Sequence, residues 1–309
     1  MARKTIAMLP RHPARPPARW LVHAAWLLVS VGCTSDHHVS PWPKDVSLQS
    51  LMRASTMQEH LERVAAEMQV EGLALDTEVC GELDDVETFC IRSYRGQDDL
   101  GNQRRAVRVA TRYGVVMALG PTSSHDAMRG VEIALVPALD EAWKSGSDLN
   151  GDGMPDVVVA RSGGVLEVWG LHARGASPYP IDALVPVTGA MDVDGDGRPD
   201  LTGTVPVPPG ESLVPSLVEV VSFAAGRYRA DTPSVRGFHA RRGRDMAEER
   251  SGAAHVERAW HALRSGKDSA KVLKALDDVI EGVDDRSAEE RAALRRWRNW
   301  LASAVAKEK

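Results

Sequence analysis

Two stretches of the sequence carry acidic and amide side chains at a spacing that suits a divalent cation. Each is nine residues long, at 148–156 and 192–200, with glycine at its fourth and sixth positions. Carboxylates this dense repel one another unless a cation neutralises them, and the glycines allow the tight turns that a cage of oxygen ligands needs. We expect two structural calcium ions (Ca2+), because magnesium keeps several waters and rarely uses an all-protein cage.

The predicted ligands occupy the same positions in both loops: side chains at positions one, three, five and nine, and the backbone carbonyl at position seven. In the first loop these residues are Asp148, Asn150, Asp152, Met154 and Asp156. In the second loop they are Asp192, Asp194, Asp196, Arg198 and Asp200. The alternative is a pair of solvated turns, closed by their own aspartates, that hold no metal.

A strand pattern follows each loop directly. Runs rich in valine, at 157–160 and 201–207, lead through a turn into a second apolar run, which predicts an antiparallel hairpin. The same pair of apolar runs occurs at 107–119. In the segment before it, Asp98 aligns with the first residue of each acidic loop, but Leu100 stands at the third position, where the loops have an oxygen donor. We therefore expect three copies of one β unit, of which the first keeps the turn and lacks the ion.

The phrase D-x-N-x-D-G-x-x-D running into a strand resembles the FG-GAP or VCBS-type repeat of integrin-like β-propellers. The resemblance extends over residues 98–239 and is specific at the two loops and the strand after each. An EF-hand is excluded because its twelfth position requires glutamate, whereas Val159 and Gly203 stand there. Three repeats are fewer than a closed propeller uses, so the resemblance implies a partial or small propeller-like array.

The first 32 residues have the parts of a secretory signal: a basic start, an apolar run over 20–32, and a small residue before a cysteine. The run is too short to cross a bilayer as a helix. Its end resembles the lipobox of bacterial lipoproteins, in which Cys33 becomes the lipidated first residue, although Ser30 stands where that family prefers leucine. A plain secretory signal or a short membrane anchor is the alternative.

The lipobox resemblance implies a lipid-anchored protein of the bacterial cell envelope, facing the periplasm or the surface. The leader holds five basic and no acidic residues, so its removal would change the net charge from −5 to −10. An acidic protein is a poor partner for nucleic acid, which rewards clustered lysine and arginine. The remaining cysteines, Cys80 and Cys90, form an even pair, and in an exported chain this favours a disulfide.

Helical periodicity occurs at both ends of the mature chain. We predict an α+β fold in which antiparallel β repeats lie between an N-terminal helix and a C-terminal helical bundle, with that helix packed on the bundle. The predicted segments are a signal peptide at 1–32, a tether at 33–46, a helix plus disulfide hairpin at 47–97, β repeats at 98–239 and a helical bundle at 240–309.

The sequence contains no nucleophile elbow, phosphate-binding loop or H-E-x-x-H helix. Ser123, His125 and Asp126 are too close in sequence to form a triad, so we expect no catalytic activity. The predicted function is a calcium-stabilised, membrane-anchored binding or scaffolding protein whose partner is another envelope protein or a glycan. The alternatives are an envelope component that docks through tryptophans of the bundle (Trp260, Trp297 and Trp300) and, less favoured, a hydrolytic lipoprotein.

Overall fold

The structure, a computed structural model, describes residues 48–83, 87–208, 210–282 and 286–307. The predicted signal peptide, the tether and Cys33 lie outside the described residues. Within those residues, no helix combines the length and apolar character needed to span a bilayer.

The first sheet is a four-stranded antiparallel meander covered on one face by helix α1 (Leu48–Val70). Leu61, Val64 and Met68 of α1 are buried against residues of the second and third strands. The helix therefore packs on the sheet and not on the C-terminal helices, contrary to our expectation. The strands are β1 (Leu73–Glu82), β2 (Thr88–Gln97), β3 (Gln103–Thr111) and β4 (Gly114–Ser123).

The predicted disulfide is present between β1 and β2. Cys80 and Cys90 are directly opposite each other in the strand register, and their Cα atoms are 4.1 Å apart. Cys90 is buried against Leu61 of α1 and Ala110 of β3. The bridge thus joins the outermost strand to the part of the sheet that α1 covers.

Two further sheets follow, and each contains one acidic loop immediately before its second strand. The second sheet has the order β5-β6-β7-β8, and the third has the order β10-β11-β12-β13-β9, in which the β13–β9 pair is parallel. None of the described sheets closes into a barrel. The elements are α2 (Ser124–Ala127), β5 (Ile133–Leu135), β6 (Asp156–Arg161), β7 (Val165–His172), β8 (Gly175–Pro178), β9 (Ile181–Asp182), β10 (Gly189–Met191), β11 (Asp200–Thr204), β12 (Val218–Ala224) and β13 (Arg227–Arg229).

The three sheets stack face to face, with the second in the middle. Val157 and Val159 of β6 pack in a core shared with the first sheet, whereas Val158 packs in a core shared with the third. Both faces of β6 are therefore buried, which explains why its sequence is continuously apolar and does not alternate. The prediction of an α+β fold with antiparallel sheets is confirmed.

Four of the described helices follow the third sheet, and the first two of them contact β12, through Val235 and through the Nε1 of Trp260, which donates to the carbonyl of Val218 at 2.9 Å. Trp260 and Trp297 are buried in a core that also contains Leu217, and Trp300 is half-buried with its ring centroid 5.7 Å from each of theirs. This packing favours a core role for the tryptophans over a docking role. The helices are α3 (Pro233–Asp245), α4 (Gly252–Arg264), α5 (Ser269–Glu281) and α6 (Ala288–Lys307), so the predicted boundary between 239 and 240 falls inside α3.

Candidate metal centre

The first carboxylate of each acidic loop is fixed by the backbone that curls around it. The two oxygens of Asp148 accept hydrogen bonds from the N–H groups of Gly151 and Gly153, at 2.6 and 3.0 Å. Asp192 accepts from Gly195 and Gly197 at the same distances. All four glycines have φ between 78° and 87°, a left-handed conformation that other residues adopt only with strain. The repeated glycines are therefore required by the turn itself.

The ninth carboxylate reaches back into each loop from the first residue of the following strand. Asp156, the first residue of β6, is fully buried and accepts hydrogen bonds from the N–H groups of Leu149 and Asn150 at 2.8 and 3.2 Å. Asp200, the first residue of β11, accepts from the N–H of Val193 at 2.9 Å. Each strand thus begins at a residue whose side chain also organises the loop before it.

The second loop brings together the acidic groups that could hold a cation. Asp192, Asp194 and Asp200 each offer a carboxylate oxygen, and these oxygens all lie within 4.8 Å of one another. Oxygen ligands so close together suit a hard ion such as calcium. Of the predicted ligands in this loop, Asp196 accepts instead from the N–H of Arg198, at 2.8 Å.

The first loop has the same hydrogen-bond layout with an amide at its third position. Asn150 donates through Nδ2 to Asp156 at 3.2 Å, and its Oδ1 accepts from the N–H of Asp152 at 3.0 Å. Asp152 in turn accepts from the N–H of Met154 at 2.9 Å and from the hydroxyl of Tyr179. The amide carries no charge, so this loop would present one carboxylate fewer to an ion than the second loop.

Neither buried ninth carboxylate forms an ion pair with any of the residues that the structure describes. Burial raises the pKa of Asp156 to about 7, with repulsion from Asp152 and Asp148 adding to the effect and hydrogen bonds from the backbone opposing it. Burial likewise raises the pKa of Asp200 to about 6. Burial would also raise the pKa of Asp192, but backbone N–H donors outweigh it and lower that pKa. A proton or a cation at the ninth position would relieve this repulsion.

Contacts that the sequence does not indicate join the two loops to each other. The indole Nε1 of Trp143, just before the first loop, donates to the carbonyl of Gly197 in the second at 2.9 Å. The guanidinium of Arg198 lies over Gly151 so closely that a Cβ added there would be 2.0 Å from its Cζ. Arg198 was predicted to supply only a carbonyl oxygen. Its side chain instead packs on the neighbouring loop.

Replacing Gly151 with alanine should destabilise the protein more than the same change at Gly153. Both positions have positive φ, but Gly153 has open space around its Cα, whereas Gly151 is covered by Arg198. We expect a loss of about 1 kcal/mol at Gly153 and about 2 kcal/mol at Gly151, since the second change adds a steric clash to the backbone strain. Urea unfolding measures both values, and equal losses would show that Arg198 moves away freely.

The remaining polar groups that the sequence placed together have structural roles. Ser123 caps the short helix α2, and its N–H and hydroxyl both donate to Asp126 at 3.0 Å. Asp98 closes a turn between β2 and β3 by accepting from the N–H groups of Leu100 and Asn102, at 2.9 and 2.8 Å. Both aspartates therefore stabilise local turns of the backbone.

A search of protein-family models, of curated proteins and of solved structures found no match to this chain. The resemblance to FG-GAP repeats therefore depends on the acidic loops and on the strand after each. In the structure the two loops resemble each other, since the first and ninth aspartates accept backbone N–H groups in the same way in both.

Proposed function

We propose that each acidic loop binds one calcium ion, and that the ions stabilise the sheets. The observation that best supports this proposal is the trio Asp192, Asp194 and Asp200, whose carboxylate oxygens converge within 4.8 Å on a loop that opens into β11. The raised pKa values of Asp156 and Asp200 point the same way, because they mark acidic sites that lack a counter-charge. Calcium would replace the proton at these positions.

The role of the ions in this proposal is architectural. The ninth ligand of each site is the first residue of β6 or β11, and β6 is buried on both faces. An ion held there would fix the start of a central strand relative to the loop before it. The stack of sheets would then be a partial propeller-like array of FG-GAP-type units, with α1 and the C-terminal helices covering its two end faces.

The wider function in this proposal is a binding or scaffolding protein outside the cytoplasm, anchored through Cys33 and without catalytic activity. The Cys80–Cys90 disulfide supports an oxidising compartment. Extracellular calcium sites of this kind bind at roughly 10⁻⁴ to 10⁻³ M, which suits a setting where calcium is abundant and is not a signal. The partner would be a second envelope protein or a glycan.

Calcium addition should raise the melting temperature of chelator-treated protein. At a calcium concentration about a hundred times the dissociation constant, stabilisation of about 3 kcal/mol per site should raise the melting temperature by about 5 °C or more. Differential scanning calorimetry over a calcium series measures the shift, and magnesium at equal ionic strength is the control for charge screening. Equal shifts with both ions, or no shift, would contradict calcium binding.

A matched pair of variants tests whether the calcium-dependent rise in melting temperature comes from the acidic loops or from acidic surface charge in general. Asp194→Asn removes a carboxylate of the trio, whereas Asp231→Asn removes an exposed carboxylate in the turn after β13, which pairs with Arg229 at 2.8 Å. The first change should reduce the calcium-dependent rise in melting temperature. The second should leave that rise unchanged, although it alters net charge equally.

A further inference from the structure

A cavity of about 690 Å³ lies among helices α3, α4 and α5. Its size falls within the range of roughly 300–1,000 Å³ that small-molecule sites occupy. None of its lining residues belongs to either acidic loop, so it is separate from the candidate calcium sites.

One wall of the cavity is apolar. Ala259 of α4, together with Val272 and Leu276 of α5, forms part of this wall, and all three are buried. Their small and medium-sized side chains leave the space between the helices unfilled. An apolar ligand body could displace water from this wall at a gain in free energy.

The rim of the cavity is cationic. Arg244, Lys267 and Lys271 line it and are exposed, and the half-buried Arg258 also lines it while donating to the carbonyls of Met246 and Glu249. The one acidic residue in the lining is Asp268. That carboxylate is already engaged, because it caps α5 by accepting from the N–H of Lys271 at 2.9 Å. In a protein with net charge −5, this concentration of positive charge around a cavity favours an anionic ligand.

The wall between α3 and α4 contains two buried histidines in direct contact. The Nδ1 atoms of His239 and His261 are 2.7 Å apart, so one ring donates to the other and a single proton lies between them. Burial lowers the pKa of His239 to about 3 and that of His261 to about 4, so both rings are neutral at pH 7. Among the described residues, Nε2 of His239 has no hydrogen-bond partner although it is buried. A buried polar atom without a partner is unusual, and His239 lines the cavity, so this nitrogen is available to hydrogen-bond a bound molecule.

We infer that this cavity binds an amphipathic organic anion, with its acidic group at the cationic rim and its apolar body against α4 and α5. The size of the cavity, its apolar wall and the excess of positive charge at its rim all fit this chemical class. The site does not depend on calcium binding and would give the proposed binding protein a small-molecule ligand.

Isothermal titration calorimetry with three probes tests the chemical class. Decanoate combines a carboxylate with an apolar chain, decanol has the chain without the charge, and acetate has the charge without the chain. We expect saturable binding of decanoate below its micelle concentration, binding of decanol weaker by about tenfold or more, and no binding of acetate. Equal affinities for decanoate and decanol would overturn the requirement for an anion, and no saturable decanoate binding would overturn the site.

A charge-matched set of variants locates the binding. Lys271→Gln removes one exposed rim charge, and we expect decanoate affinity to fall by about threefold or more. Lys274→Gln is the control, because Lys274 is also exposed on α5 but does not line the cavity. Circular dichroism melts confirm that each variant folds. An equal loss in the control would overturn the assignment of binding to this cavity.

Discussion

Replacing Glu219 with alanine is expected to lower the free energy of unfolding by about 3–5 kcal/mol. Glu219 is fully buried on β12, and its Oε1 accepts from the Nη2 of Arg264 on α4, whose side chain is 7 % exposed. The same oxygen accepts from the N–H of Leu184 at 3.4 Å. Removing the carboxylate leaves a guanidinium charge buried between the sheet and the helices, which costs far more than the loss of one surface contact.

Chemical unfolding of the single and double variants measures this effect. Replacing Arg264 with methionine in the Glu219→Ala background removes the buried guanidinium, so we expect the double variant to regain much of the lost stability. Asp182→Ala is the matched control, since Asp182 pairs with Arg227 at 3.3 Å where both side chains are about half exposed. We expect that control to lose less than about 1 kcal/mol. If Glu219→Ala also lost less than about 1 kcal/mol, the guanidinium of Arg264 would have to reach solvent in the variant.

Many of the strands and helices could be predicted from the sequence, because the patterns that indicate them extend over only a few neighbouring residues. The β-branched runs around 157–160 and 165–169 became β6 and β7, whose register pairs Asp156 with Gly170 through to Arg161 with Val165. Ser265 and Ser287 each stand three positions before an acidic residue, the spacing of a helix-capping pair, but only one of these two serines caps a helix start. Ser287 accepts from the N–H of Glu290 at 3.1 Å, as a capping residue does. Ser265 instead ends α4, and Asp268 caps α5.

How the helices and sheets pack on one another was harder to predict from the sequence. Helix α1 was expected to pack on the C-terminal helices because an amphipathic helix needs some apolar surface, and the sequence does not say which one. The strands of the first sheet offered that surface, since Cys90 and Tyr94 point to one face while Phe89 and Ile91 point to the other. Both faces of that sheet are buried as a result.

In the candidate sites, too, contacts within one loop could be predicted from the sequence, whereas contacts between distant segments could not. The glycine and aspartate spacing of each acidic loop predicted a tight turn, because the hydrogen bonds from its backbone to the first and ninth aspartates lie within nine residues. The contact of Arg198 with Gly151, the Glu219–Arg264 pair and the cavity histidines join residues that are distant in sequence. No periodicity encodes such contacts, since they depend on how sheets and helices stack.

Calcium binding at the first loop should weaken by about tenfold between pH 8 and pH 6, and Asp156→Asn should abolish this dependence. The pKa of Asp156 in the calcium-free protein is about 7, so protons compete with the ion over this interval. Calcium binding near pH 7 should therefore release protons. Calorimetric titration in buffers of different ionisation enthalpy measures that release, and a pH-independent affinity would contradict the role of Asp156 as a ligand.

The same carboxyl contributes to the pH dependence of stability without calcium, in the same direction as Asp200. Because its pKa is higher in the folded than in the unfolded chain, its contribution is full below about pH 4 and is lost as the pH rises through 7. The loss between pH 6 and pH 8 amounts to about 1 kcal/mol. His239 and His261, whose pKa values are lowered by burial, act in the opposite direction below pH 6.5. The difference in unfolding free energy between wild type and Asp156→Asn cancels the histidine contribution, so it isolates the carboxyl whose charge calcium would neutralise.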